Sequence, residues 1–141
     1  VDNELRSERC SNAASKIAAY PAVRAALLDY QRHFAGEAPL VADGRDMGTV
    51  VFPDAPLKFF LTASSEIRAE RRHKQLLAKG ECVNVRDIYA EIVARDERDQ
   101  TRSVAPLKPA SDAVVIDTGT LSIADVQQQV NAEIAARFSF I

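Results

Sequence analysis

"VADGRDMGT", Val41 to Thr49, is the stretch whose reading decides the architecture. Leu40–Ala42 is a short apolar run that leads directly into Asp43-Gly44-Arg45-Asp46, where carboxylates flank an arginine. Two readings are open. A surface turn accommodates such a charge-balanced tetrapeptide, with Gly44 bending the backbone without a Cβ penalty. In the other reading the apolar run is a buried strand of a parallel sheet. The charged residues then sit beyond its carboxyl end, where open α/β sheets bind ligands.

Working outward from this stretch, two further short runs, Leu57–Leu61 and Ala113–Ile116, are rich in the β-branched and aromatic residues that strands prefer. Helical patterns surround the three runs. Residues 4–20 are helix formers, ending at Tyr20-Pro21 because the residue before proline is pushed out of the helical region. Pro21 suits the first turn of a helix over about 22–34, with Val23, Ala26, Leu27, Tyr30 and Phe34 on one face. "AGEAP" (35–39) is a loop. A third helix is expected over 64–79, opened by Ser64 or Ser65 and closed by Gly80. A fourth follows over 85–102, with Asn84 and Asp87 at its start and Ile88, Ile92 and Tyr89 on its apolar line. The last covers 123–137, capped by Ser122, with Ile123, Val126, Val130 and Ile134 on one stripe. Short strands alternating with helices predict an α/β layered domain with a largely parallel sheet, joined to a helical N-terminal element of about 35 residues.

Composition narrows the function. The 141 residues are 47% hydrophobic and 27% charged, enough for one domain with a core. A net charge of -2 gives no global field to attract nucleic acid or an anionic membrane, so anion binding must come from local arginine clusters. No apolar run is long enough to span a bilayer. Cys10 and Cys82 match no metal-ligand spacing, and a reduced, cytoplasmic setting is expected. The chain begins at Val1 and its single methionine is Met47, so a part of a longer reading frame is expected.

Two arginine clusters meet that requirement. "ARDERDQTR" (94–102) places Arg95, Arg98, Asp99 and Arg102 at i, i+3, i+4 and i+7, on one helical face. Arginine suits bidentate recognition of phosphate because its planar fork is always charged. A solvated salt-bridge helix is the competing reading, since Asp96 and Glu97 are also present. "RAERRHK" puts Arg68, Arg71 and Arg72 at i, i+3 and i+4 on another helix. With Arg45, these make three arginine sites in a net-negative chain, a pattern that suits a ligand carrying several phosphates. His33 and His73 have no nucleophile or carboxylate at motif spacing and read as surface or structural. HExxH, GxSxG and GxGxxG are missing, and so is GxxxxGK[ST].

"NAASKIAAYPAVRAALLDYQR", "VADGRDMGTVVFPDAPLKFFLTAS", "RAERR", "ARDERDQTRSVAPLKPASDAVVIDT" and "LSIADV" together resemble the bacterial cytidylate kinases, in order and across essentially the whole chain. The resemblance implies the P-loop NTPase-like nucleoside monophosphate kinase version of an α/β fold, with a truncated parallel sheet and flanking helices. Residues 1–36 would be the helical C-terminal part of the CMP-binding insertion, and 37–141 the core with a short lid around 68–83. It also implies transfer of the γ-phosphoryl of ATP, with Mg2+, to CMP or dCMP in the cytoplasm, by a monomer that engages neither nucleic acid nor membrane.

Carried over by motif, Ser15, Arg24 and Asp46 would face the cytosine and its sugar edge, and Asp43 joins the substrate-binding set. Arg45 and Arg102 would hold the acceptor phosphate, with Arg95 and Asp99 at the ribose. Arg71, with Arg72 beside it, would approach the transferring phosphates, making Arg45, Arg71 and Arg102 the catalytic set; no metal-ligating residue is implied. The departure is the P-loop, which the family carries near its N-terminus on the first core strand. Its absence implies the C-terminal part of such an enzyme, not catalytically competent alone. A non-catalytic CMP-binding module and a nucleic-acid-binding domain are the alternatives.

Overall fold

The computed structural model describes residues 2–5, 7–36 and 39–138. The chain divides into two compact units, residues 1–53 with 93–108, and 54–92 with 109–141.

The first unit opens with a short helix α1 (Asp2–Leu5) and then α2 (Glu8–Ile17). The helix expected over 4–20 is thus broken at Ser7, whose hydroxyl accepts from the Cys10 N–H at 3.2 Å and caps α2. Such a side-chain cap satisfies an amide that has no partner inside the helix. α3 (Pro21–His33) begins with proline at its first turn. Most of its apolar stripe lies at the surface: Leu27, Tyr30 and Phe34 are exposed, and the rings of Tyr30 and Phe34 meet edge to face at 5.1 Å.

Leu40–Ala42 is not a strand. Val41 is 98% exposed, and no described segment pairs with the run. Three apolar residues cannot hold an extended ladder without a neighbour to share hydrogen bonds. Downstream the chain instead forms a π-helical turn, Met47–Val51, in which the Asp46 carbonyl accepts from the N–H groups of Thr49, Val50 and Val51. Arg32 ties this turn down from α3, donating from Nε to the Val51 carbonyl at 3.0 Å and from Nη2 to Val50 at 3.1 Å. Val51 is fully buried.

The second unit contains the sheet, β1 (Phe59–Thr62) and β2 (Val114–Asp117), running parallel with Phe59 opposite Val114 and Thr62 opposite Asp117. α4 (Ser65–Ala78) starts at Ser64, which accepts from the Ile67 N–H, and ends before Gly80, whose φ of 80° is open to a residue without Cβ. α5 (Val85–Thr101) follows, its residues 85–92 belonging to this unit and 93–101 to the first. Ala69 and Leu76 of α4 bury against Ile88 of α5, with Val83 and Ile92 packed alongside. α6 (Ile123–Arg137) carries a reciprocal cap in which Ser122 and Asp125 each bond the other's backbone N–H. Its expected stripe is shorter by one residue: Val126, Val130 and Ile134 are half-buried, whereas Ile123 is 88% exposed.

Candidate functional site

Asp99 is the centre of the first unit. Arg95 on α5, Arg102 just past its end, and two residues from other elements converge on a carboxylate that is 1% exposed. Ser15, on α2, donates from Oγ to Oδ1 at 3.0 Å. Arg45 Nε lies 2.8 Å from Oδ2 and Arg95 Nε 3.8 Å from it, while Arg102 Nη1 lies 3.8 Å from Oδ1. The Arg45 contact is an ion pair by distance, and Oδ2 accepts no hydrogen bond among the described residues. Burying one carboxylate beneath three guanidiniums leaves a local excess of positive charge, the reverse of the chain's net charge of -2.

Three donors are also left over. Arg95 Nε, Arg98 Nε and Arg102 Nη2 are buried and make no hydrogen bond among the described residues. A buried donor without an acceptor costs roughly 1–3 kcal/mol, more when charged, so the cluster is suited to an anion that supplies acceptors. Arg98 is anchored at its other end, donating from Nη2 to Asn12 Oδ1 at 2.8 Å. Asn12 precedes Ser15 by three residues, so the two share one face of α2.

A second pair adjoins in sequence. Arg24 of α3 forms an ion pair from Nη2 with Asp46 Oδ2, and its Nη1 donates to the Ala18 carbonyl at 3.3 Å. Asp46 Oδ1 makes no hydrogen bond among the described residues. The pair thus holds a donor and an acceptor side by side. A Cβ at Gly44 would lie 2.9 Å from Met47 Cγ and Cε, so the Met47 side chain would have to move to admit one. Asp43 joins neither pair; with Gln31, Phe34, Leu40, Ala42, Met47 and Phe52 it lines a largely apolar cavity of about 220 Å3.

Arg71 lies in the second unit, donating from Nη1 to Thr118 Oγ1 at 3.0 Å and from Nη2 to the Thr118 carbonyl at 2.5 Å. His33 is exposed, and His73 Nε2 lies 3.1 Å from the Val83 carbonyl. Among the described residues no three His, Cys, Asp or Glu side chains gather to hold a metal ion. No described helix is long and apolar enough to cross a membrane.

The loop after α5 carries two further residues that motif reading leaves unassigned, Ala105 and Leu107. Ala105 has φ 51°, a conformation that costs an L-residue about 1–2 kcal/mol. Its carbonyl accepts from Arg102 Nε at 2.6 Å, and the Leu107 N–H donates to the Asp99 carbonyl at 2.7 Å. Asn12 had a signal in its i−3 spacing from Ser15; Arg32 and Ala105 had none.

A parallel sheet flanked by helices, with an arginine–carboxylate cluster able to take an anion, defines a mixed α/β protein of nucleoside monophosphate kinase type. The chain belongs to the cytidylate kinase family, whose profile matches residues 1–136. It is 60% identical over 138 residues to a cytidylate kinase of Dichelobacter nodosus, covering 98% of this chain and 62% of that one. Against a cytidylate kinase of Pseudomonas savastanoi pv. phaseolicola the identity is 58%, covering 97% of this chain and 60% of the relative. For one from Shewanella loihica it is 60%, covering 89% and 55%. The chain therefore spans about 60% of the length of the first two relatives.

Proposed function

We propose that this chain carries the acceptor-nucleotide side of a kinase that transfers the γ-phosphoryl of ATP to CMP or dCMP, giving ADP and CDP or dCDP. The observation that carries the proposal is the Asp99 cluster, with three buried guanidinium donors that find no acceptor among the described residues. Arg45 and Arg102 hold the acceptor phosphate, Arg95 and Asp99 the ribose, and Ser15 faces the cytosine and its sugar edge while donating to Asp99 from α2. Phosphoryl transfer needs positioned positive charge more than covalent chemistry, and fixed arginines supply it.

Arg24 and Asp46 read the base. Cytosine offers an exocyclic amine, which the free Asp46 oxygen accepts, and ring acceptors, which Arg24 meets. Uracil presents a carbonyl where cytosine has the amine, which leaves a carboxylate facing an acceptor. Asp43 completes the substrate side, and Arg71 leaves Thr118 to approach the transferring phosphates. Mg2+ travels with the ATP phosphates, where it neutralises charge, and no step is assigned to it on these residues. Partners are nucleotides rather than nucleic acid or membrane, and the setting is the cytoplasm, with the full-length enzyme a monomer.

A second reading applies to the 141 residues taken by themselves. They contain no GxxxxGK[ST], the loop whose backbone N–H groups and lysine cradle ATP phosphates. On that ground these residues alone bind CMP without turning it over. Calorimetric titration tests both statements: CMP binds at one site, and UMP about tenfold or more weakly. Equal binding of CMP and UMP refutes the base-reading pair, and no heat with CMP refutes the acceptor site. ATP-dependent CDP formation by pure material of this mass refutes the claim of inactivity.

A further inference from the structure

We infer that Ala105 is a positioning residue, whose left-handed backbone sets the orientation of the Arg102 guanidinium in the acceptor-phosphate site. The inference rests on the proposed function above. Arg102 is almost wholly buried, with a side chain 6% exposed, so its orientation is decided by its partners and not by solvent. Those partners divide its nitrogens. Nε donates to the Ala105 carbonyl at 2.6 Å, Nη1 lies 3.8 Å from Asp99 Oδ1, and Nη2 is buried without an acceptor. Because the guanidinium is planar, fixing Nε fixes the direction of both Nη groups. The nitrogen left for an incoming anion is therefore chosen by the Ala105 carbonyl.

That carbonyl points at Nε only through an unusual backbone. Ala105 has φ 51°, and among the described residues it is the one non-glycine residue with positive φ. Pro106 follows it, which removes the ordinary helical alternative for the residue before it. The turn is closed on the far side by the Leu107 N–H, which donates to the Asp99 carbonyl at 2.7 Å. One loop thus grips both ends of the pair: Asp99 by its backbone and Arg102 by its side chain. Strain of this kind persists where surrounding contacts over-determine it, and it concentrates at ligand clamps. Glycine adopts the same φ without strain, so it can keep the carbonyl in place.

The test compares CMP with cytidine, which lacks the phosphate, by calorimetry on the same chain. Valine resists positive φ more than alanine does, so Ala105→Val should weaken CMP about tenfold while leaving cytidine within about twofold, the loss expected for one misdirected charge-assisted hydrogen bond. Ala105→Gly should keep the wild-type ratio of CMP to cytidine affinity within about twofold. In an Arg102→Lys background, where no Nε–H exists, Ala105→Val should change CMP affinity by less than about twofold, because two residues acting through one contact are not additive. An unchanged ratio in folded Ala105→Val, or an undiminished effect of it beside Arg102→Lys, overturns the inference and leaves the acceptor site standing. Failure of the wild-type chain to bind CMP overturns both. Should Ala105→Val not fold, nitrogen-15 NMR of the wild-type chain decides: a slowly exchanging Arg102 Nε–H supports the anchor, and a freely exchanging one overturns it.

Discussion

Asp99 and Ala69 are equally buried, each 1% exposed, yet they stand at the centres of two differently built regions. Around Ala69 lie Leu76, Ile88, Val83 and Ile92, a small apolar core between α4 and α5 of the sort that burial alone stabilises. Around Asp99 lie Ser15, Arg45, Arg95 and Arg102, with Arg24 and Asp46 forming a second charged pair. Among the described residues of the first unit, the buried ones are Val51 and three polar residues, Ser15, Asp46 and Asp99, and the Arg102 side chain is only 6% exposed beside them. A protein selected only for stability has little use for that arrangement, since buried ion pairs are often no better than apolar residues of similar volume. The same region holds the π-helical turn, the left-handed Ala105 and the unbonded guanidinium donors. Irregular backbone and unsatisfied charge thus coincide, as they do where a ligand completes the structure. The lesson is a division of labour between an apolar region that holds the fold and a polar one whose buried charges are suited to an anion.

The largest effect expected from this division is in the apolar region. Leu76→Ala should lower stability by about 3 kcal/mol, in the range for a buried leucine truncated beside a well-packed helix. Denaturant unfolding would measure it, and CMP affinity of the folded variant should be unchanged. A large loss of CMP affinity would break the comparison, because the apolar core would then be serving the site as well.

The converse substitution comes next. Asp46→Asn removes a charge but nearly preserves shape, so CMP affinity should fall about tenfold while UMP is little affected, narrowing the preference between them. Parallel titrations with the two nucleotides would show it. Equal losses for both would assign Asp46 to holding Arg24 and the π-helical turn, not to reading the base.

The later helices were legible because each carries local signals, whereas the break at Ser7 inside the expected 4–20 helix was not. Ser64 and Ser122 cap where a serine before an apolar period should, and Gly80 closes α4 with positive φ. The parallel pairing of β1 with β2 follows from two β-rich runs separated by helices. Leu40–Ala42 misled, because an apolar triplet becomes a strand only with a neighbouring ladder, and nothing in the triplet says whether one exists. The convergence on Asp99 was legible in part: helical spacing over 94–102 put Arg95, Asp99 and Arg102 on one face, whereas Ser15 came only from the family resemblance and Arg45 from its own motif. Arg32 and Ala105 were not legible. Their contributions depend on where a carbonyl points, which is a property of the folded loop and leaves no trace in residue type. Asp43 met no partner in the cluster and lines an apolar cavity instead.

A smaller effect should follow from loosening α6. Ser122→Ala removes the hydroxyl that accepts from the Asp125 N–H at 3.2 Å and donates to its carboxylate at 2.6 Å. The expected cost is about 1 kcal/mol, seen as a lowered melting temperature with CMP affinity intact. Because the cap lies in the second unit, a change in CMP affinity would contradict the division of labour.

Acid should produce the smallest effect, and its sign can be worked out. Asp112 is held below the ordinary carboxylate range chiefly by its hydrogen bond from Lys58 Nζ, at 2.6 Å. Asp125 is lowered first by the Ser122 hydroxyl and then by the Ser122 backbone N–H. A carboxylate lowered on folding contributes stability that is fully present above its unfolded pKa and is lost as pH falls through its folded value. The window therefore opens near pH 4 and extends downward. Both groups are exposed, so solvent screening keeps each contribution modest. Lys58 is the asymmetric partner: its side chain is only 7% exposed, so protonating Asp112 takes an anionic partner from a buried cation. Asp112→Asn should consequently flatten the fall in stability between about pH 4 and pH 2.5, measured by denaturant unfolding at each pH. It should also lower stability at pH 7, where the wild-type pair is intact. A variant that matched the wild type at pH 7 and fell equally in acid would show that the pair contributes nothing and that other groups govern the acid response.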